Sequence, residues 1–263
     1  MKQKRKIPSV FTLLGSITVI GAIVLSLCAF TPLTNSITKD SETAPSSESA
    51  VLLSGADMGM AYIDSMIFFG ESTTTHLRAR GVLRNGSETH QVWADESGTK
   101  TLSSKLLSEA LIYPPTKERL TLSAALEKAQ PDYLVLSFGL NNIVYFVNHK
   151  ENYISNYSKL IEAVKKASPK TKIILQSVYP VSAACDAFSV DGKTVCAYTE
   201  ILNGWLLEIA ATHQNVKLAD TASVLKDADG SLLPTYDSGD GIHLTTGAYE
   251  QILLYLRTHA WID

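Results

Sequence analysis

Short, unbroken apolar runs recur along this chain, and each is followed by a stretch with helical spacing. Met66-Ile67-Phe68-Phe69 ends in Gly70-Glu71-Ser72. Tyr133-Leu134-Val135-Leu136-Ser137-Phe138 ends in Gly139-Leu140-Asn141-Asn142. Residues 172–177 and 216–219 read as two further strands, and residues 90–94 as a weaker one. A strand covered on both faces shows such a run, whereas a half-exposed strand alternates polar and apolar residues. Between the runs, Ile154, Tyr157, Leu160, Ile161 and Val164 fall on one helical face, and Ile201, Leu202, Trp205, Leu206 and Ile209 on another. Further helices are predicted from Ser72 to about Arg80, with Gly81 as the stop, and over residues 102–112, 120–129 and 246–260. Strands alternating with helices of this length give an α/β domain whose parallel sheet is covered on both faces. No internal repeat is present, so a solenoid is excluded.

The N-terminus follows a different rule. Lys2, Lys4, Arg5 and Lys6 precede residues 10–30, a run of 21 residues without a charge. That length spans a bilayer as a helix, and the basic cluster would stay on the cytoplasmic side. Three readings compete: an uncleaved anchor, a cleaved signal peptide and a lipoprotein signal. Signal cores are shorter, about 7–15 residues, and no small-x-small cleavage site follows. Cys28 invites the lipoprotein reading, but Leu27 stands where a small residue is expected. The anchor is preferred and the cleaved signal is second. Residues 34–55, polar and poor in apolar side chains, read as a disordered linker. The expected organisation is therefore a basic N-terminus with anchor or signal over residues 1–33, a linker over 34–55 and one folded domain over 56–263. The catalytic part would then lie outside the membrane, or be secreted if the segment is cleaved.

Net charge is −3, and setting aside the four N-terminal cations leaves −7 for the remainder. A nucleic-acid partner needs a basic face, so that class is excluded. Outside the apolar N-terminal run the cysteines are Cys185 and Cys196. Export permits a disulfide between them. Asp191-Gly192 between valines signals a hairpin that would bring the sulfurs together. Two separate buried thiols are the alternative. A metal site is disfavoured, because no second Cys or His pair lies nearby at ligand spacing.

Three loops at strand or helix boundaries carry the chemistry: Gly70-Glu71-Ser72, Gly139-Leu140-Asn141 and Asp240-Gly241-Ile242-His243. A serine near neutral pH is a weak nucleophile and needs a base. His243 is the candidate base, and Asp240, three residues earlier, is placed to orient its far ring nitrogen. Ser72 alone would read as a helix N-cap; the other two loops shift that balance. The Gly-x-Ser-x-Gly elbow of α/β-hydrolases is absent.

The three blocks together resemble the SGNH/GDSL hydrolase family, and the resemblance runs from Met66 to about Ala260. It implies a three-layer α/β/α sandwich around a mostly parallel, flavodoxin-like sheet. It also implies that Ser72 is the nucleophile, with Asp240 and His243 completing the triad. Asn141 would join the Ser72 backbone N–H in an oxyanion hole, with Gly98 as the remaining donor and Gly86 a poorer match. Two departures stand out: Glu71 replaces the family's usual Asp before the serine, and Asn142 replaces the Asp that often follows the asparagine. The implied activity is ester hydrolysis through an acyl-enzyme, with no metal or cofactor. The expected substrate is a small-molecule or glycan ester, with O-acetyl groups on a cell-wall or extracellular glycan first. Lysophospholipid-like esters or thioesters are second. A non-catalytic glycan-binding domain with a vestigial triad is the third reading, and the intact Ser-Asn-Asp-His set argues against it.

Overall fold

The computed structural model describes residues 50–95, 100–186 and 189–261. The expected membrane segment, residues 34–49 of the expected linker and Gly98 lie outside the described residues. In chain order the elements are α1 (Gly59–Asp64), β1 (Met66–Gly70), α2 (Ser72–Ala79), β2 (Val92–Trp93), β3 (Ala110–Ile112), β4 (Arg119–Thr121), α3 (Leu122–Ala129) and β5 (Tyr133–Ser137). They continue with α4 (Ile143–Val147), α5 (Lys150–Ala167), β6 (Lys172–Gln176), α6 (Ala183–Asp186), β7 (Ser189–Val190), β8 (Lys193–Thr194), α7 (Val195–Thr212), β9 (Val216–Ala219) and α8 (Thr246–Thr258).

The central sheet has the order β2-β1-β5-β6-β9, and every neighbouring pair is parallel. Successive side chains on a strand point to opposite faces, and the burial follows that rule. Phe69, Leu134, Leu136, Ile173 and Leu175 join one core, which α3, α5 and α7 cover through Leu126, Leu160, Ile161 and Leu206. Phe68, Val135 and Ile174 join the other, which α1, α2 and α8 cover through Ile63, Leu77, Ile252 and Leu256. An apolar run without alternation is thus the sequence form of a strand with a core on each side. The three-layer α/β/α arrangement and its flavodoxin-like order are those expected.

Helix starts are set by short side chains. Thr121, Thr194 and Thr245 precede α3, α7 and α8, and each hydroxyl accepts the N–H of the residue three positions on. In α5, Glu151 sits in the first turn and Lys165 and Lys166 in the last, the charge order the helix dipole favours. The strand ends lie along one edge of the sheet, where open α/β sheets place their sites.

At the start of the described chain Ala50 and Leu52 are buried, and the Leu52 N–H donates to the Leu218 carbonyl at 2.8 Å, so packed residues reach into the stretch expected as linker. Two expectations are corrected. Residues 102–112 do not form one helix but a single 3-10 turn over Leu106–Ser108 followed by β3. The leucines that suggested a helix, Leu102, Leu106 and Leu111, are all buried, yet β3 is held by antiparallel pairing with β4. That strand pairing overrides the helical pattern of the leucines. The short helix α4, directly after Asn142, has too few turns to show a period. Finally, the Asp191-Gly192 hairpin forms, but Cys185 and Cys196 are free thiols. Cys196 opens α7 and its Sγ faces the Val181 carbonyl at 3.4 Å, while Cys185 on α6 faces the Asp240 carbonyl at 3.6 Å. Each thiol is thus turned to a backbone carbonyl and not to the other sulfur.

Candidate active site

Ser72 is the first residue of α2, directly after β1 and Glu71. The bend between strand and helix depends on Gly70. A Cβ there would lie 2.4 Å from the Ser137 carbonyl oxygen of the paired strand and 2.2 Å from Thr74 Oγ1. Helix α2 is fixed against the closing helix by Tyr249, whose buried hydroxyl donates to the Thr73 carbonyl at 2.6 Å. Ser72 is half-buried and faces the loop that precedes α8.

That loop carries the other two groups. His243 Nε2 lies 3.1 Å from Ser72 Oγ, and His243 Nδ1 lies 2.6 Å from Asp240 Oδ2. A carboxylate only accepts, so Nδ1 carries the proton and Nε2 is left as an acceptor toward the serine hydroxyl. Asp240 is itself fixed by the loop backbone: its Oδ1 accepts the N–H of Ile242 at 3.0 Å and of His243 at 2.8 Å. The ring hydrogen bond from His243, together with those N–H groups, holds the Asp240 carboxyl well below the usual carboxylate range. It stays ionised at neutral pH. The order Oγ, Nε2, Nδ1, Oδ2 is a continuous path for moving the serine proton and steadying the charge that results.

Asn141 follows β5 through Gly139, whose backbone sits at φ +142°. One amide hydrogen of its Nδ2 is directed at the Lys100 carbonyl, 3.3 Å away, which leaves the other for a ligand. Gly98, expected as a further donor, lies outside the described residues; the chain just beyond it is held by Lys100, whose Nζ pairs with Asp95 at 3.3 Å and Glu109 at 3.0 Å. The weaker alternative, Gly86, begins a 3-10 turn between α2 and β2.

Sequence reasoning treated Glu71 only as a departure from a pattern. In the structure its buried carboxylate ties two of the three blocks together. Oε1 accepts the Leu140 N–H and Oε2 the Asn141 N–H, both at 2.8 Å. Burial pushes its pKa up to about 7, partly opposed by the N–H groups of Asn141, Leu140 and Gly139. The available signal was an acid placed directly after a strand buried on both faces, where a charge needs partners. His76, which the sequence offers only as a structural or exposed histidine, is a neighbour of the site. It lies one helical turn beyond Ser72, and its ring is 4.4 Å from that of His243 with a tilt of 31°. Burial, then the neighbouring His243 and Arg80, lower its pKa, so it packs on His243 as a neutral ring. Among the described residues no group of His, Cys, Asp and Glu is placed to hold a metal, and no helix is long and apolar enough to cross a membrane.

Comparison with solved structures gives the same architecture. A protein of Slackia heliotrinireducens assigned to the SGNH hydrolases matches with a TM-score of 0.51 at 18% identity, covering 74% of this chain and 98% of that one. A family 3 carbohydrate esterase of Clostridium thermocellum matches with a TM-score of 0.47 at 16% identity, covering 73% of this chain and 93% of that one. A family 3 carbohydrate esterase of Talaromyces cellulolyticus matches with a TM-score of 0.37 at 21% identity, over 51% of this chain and 59% of that one. A comparison with curated proteins returned no match. The profile of the GDSL-like lipase/acylhydrolase family spans residues 68–251, from the strand before Ser72 to beyond His243. With that span over the sheet and all three loops, the chain belongs to the GDSL-like lipase/acylhydrolase family and is a serine ester hydrolase.

Proposed function

We propose that this protein is an extracytoplasmic esterase that removes O-acetyl or other short acyl groups from a cell-wall or extracellular glycan, with Ser72 as nucleophile. The observation that carries the assignment of residues is the relay of 3.1 Å and 2.6 Å from Ser72 through His243 to Asp240. His243 Nε2 takes the Ser72 proton as Oγ bonds to the ester carbonyl carbon, and the carbonyl π pair moves onto oxygen. The Ser72 N–H, at a helix start where N–H groups lack intrahelical partners, and the Asn141 amide receive that oxyanion. Collapse breaks the bond to the alcohol oxygen, which leaves with the proton from His243. Water then gives a proton to His243 as its oxygen bonds to the acyl carbon, and His243 returns that proton to Ser72 Oγ as the bond from Oγ to the acyl carbon breaks, which frees the carboxylic acid and restores Ser72. Asp240 keeps the imidazolium oriented in both halves and remains ionised.

Export is supported by the basic cluster at Lys2 to Lys6 and the uncharged run that follows. A polar alcohol is supported by the polar groups on the two loops associated with Ser72, the Asn141 amide on one and the exposed Asp240 carboxylate on the other. The test is a fluorophosphonate label followed by peptide mapping, combined with acetyl, butyryl and octanoyl esters of one alcohol and with acetylated glycans. Labelling at Ser72, loss of labelling in Ser72→Ala and a preference for acetyl groups are expected. A folded protein that fails to label, or that prefers the octanoyl ester, overturns the reading.

A further inference from the structure

Beside the oxyanion loop lies a cleft of about 310 Å³, at the small end of ligand-sized sites. It starts at Asn142, the residue after Asn141, and runs between the 102–104 segment and helices α4 and α5. Its walls include Ser103, Ser104, Asn142, Tyr145, Asn156 and Lys159, and among the described residues no acidic side chain lines it. Buried Leu102 and Phe146 give it a small apolar patch, too little for a long acyl chain, which needs aliphatic walls throughout. Amides and hydroxyls offer paired donors and acceptors, the complement of a sugar's hydroxyl edge.

Tyr145 adds the other half of what a sugar ring requires, a flat apolar surface. It is 48% exposed, and it is held in place on three sides. Its ring stacks on His149 with centroids 4.2 Å apart, and it meets Phe146 edge-on at 5.5 Å. Asn152 Nδ2 donates to its hydroxyl at 2.7 Å. An exposed aromatic ring fixed by its own contacts loses little freedom when a ligand packs on it. The catalytic chemistry uses none of these residues.

We propose that this cleft is a saccharide subsite, which holds a sugar residue neighbouring the one whose ester lies at Ser72. The inference rests on the glycan-esterase reading. The link between cleft and chemistry is short in structure. Glu71, next to Ser72, holds the Asn141 N–H, and Asn142 is the next residue and the near wall of the cleft. Binding energy gained from a remote sugar is then available to align the ester with Ser72.

The experiment uses the whole protein and three kinds of substrate: p-nitrophenyl acetate, O-acetylated monosaccharides, and the matching O-acetylated di- to tetrasaccharides built on xylose and on N-acetylglucosamine. The expected result is a kcat/KM that rises with chain length in one of the two series. Tyr145→Ala and Asn156→Ala should each remove at least about tenfold of that gain and leave p-nitrophenyl acetate turnover unchanged. Asn156→Ala guards against misfolding, because Tyr145 packs on its neighbours whereas Asn156 lines the cleft from the surface of α5. A chain-length gain that survives both substitutions, or no gain in either series, overturns the subsite while leaving the esterase reading intact. Turnover of p-nitrophenyl acetate with none of any acetylated saccharide overturns the glycan reading and the subsite with it. No turnover of either kind overturns the esterase reading itself.

Discussion

Glu71 is where a single side chain has the widest reach. Its two oxygens take the N–H groups of Leu140 and Asn141, so it fixes the asparagine proposed to receive the oxyanion. Its folded pKa, near 7, is raised above the ordinary value of 4.5 chiefly by burial. The folded protein therefore holds this proton more tightly than the unfolded chain does. The contribution to stability is fully present below about pH 4.5 and is lost as pH rises through about 7, on the order of 3 kcal/mol. Glu71→Gln removes that titration, so the stability advantage of the natural protein over the variant should shrink from pH 5 to pH 8. Denaturant melts across that range measure it, and parallel curves for the two proteins would show that Glu71 does not titrate there. The variant should also lose turnover with little change in KM, because an amide NH2 faces one backbone N–H and frees the loop. Asn141→Ala tests the loop's purpose directly. If its amide meets the oxyanion, turnover falls roughly 100- to 1000-fold, with KM nearly constant because the charge exists only in the transition state. A purely local turn role would lower the melting temperature and leave the turnover of folded protein intact.

Among elements, the closest constraint is the pairing of β1 with β5, where Gly70 stands opposite Ser137. The Thr74 hydroxyl can rotate away from a new methyl group, but the Ser137 carbonyl belongs to the sheet backbone, 2.4 Å from the added Cβ. Gly70→Ala should cost about 1–3 kcal/mol and disturb both Ser72 and Asn141, which leave from these two strand ends. Gly204→Ala, in α7 with nothing within 4 Å of the added atom, should instead stabilise by up to about 1 kcal/mol. Thermal melts of the pair decide the matter, and a Gly70→Ala protein that melts like the natural one removes the argument. This contrast also shows what the sequence could and could not disclose. Strands β1 and β5 and the loops that leave them were legible because burial on both faces leaves a local mark, an apolar run, here ended by glycine; β6 carries the run without the glycine, and β2 is too short to show it clearly. The pairing of β3 with β4 was not legible, because Leu102, Leu106 and Leu111 look alike in a helix or a turn followed by a strand. The role of Glu71 was hidden for a related reason: its partners, Leu140 and Asn141, are some seventy positions away. The free cysteines mark the same limit. A hairpin is a local feature, but the direction of each thiol is set by Val181 and by the Asp240 loop.

At the scale of the molecule, the domain rests on two cores that share one sheet, and the chain's entry into the fold belongs to both. Ala50 sits in the core on the α3, α5 and α7 side, and Leu52 in the core on the other side. Val51 between them bridges Leu218 of β9 in parallel fashion, so this short segment extends the sheet past its last full strand. The polar composition of the preceding residues drew the expected boundary to residue 56. Three residues are too few to show a period, so the buried positions within the segment could not be told from the linker around them. Two truncations separate the alternatives. A chain starting at residue 49 keeps Ala50, Leu52 and the hydrogen bond from Leu52 to Leu218, and should melt and turn over small esters like the natural domain. A chain starting at residue 56 uncovers both cores at β9 and deletes a fully buried leucine, for which truncation costs about 2–5 kcal/mol. Its loss should appear mainly in stability. Ser72 opens α2, and Asp240 and His243 lie on the loop before α8, away from the deleted segment, so activity per folded molecule should hold at low temperature. Equal melting temperatures for the two truncations would place the start of the cooperative fold after residue 55 and make the burial of Leu52 incidental.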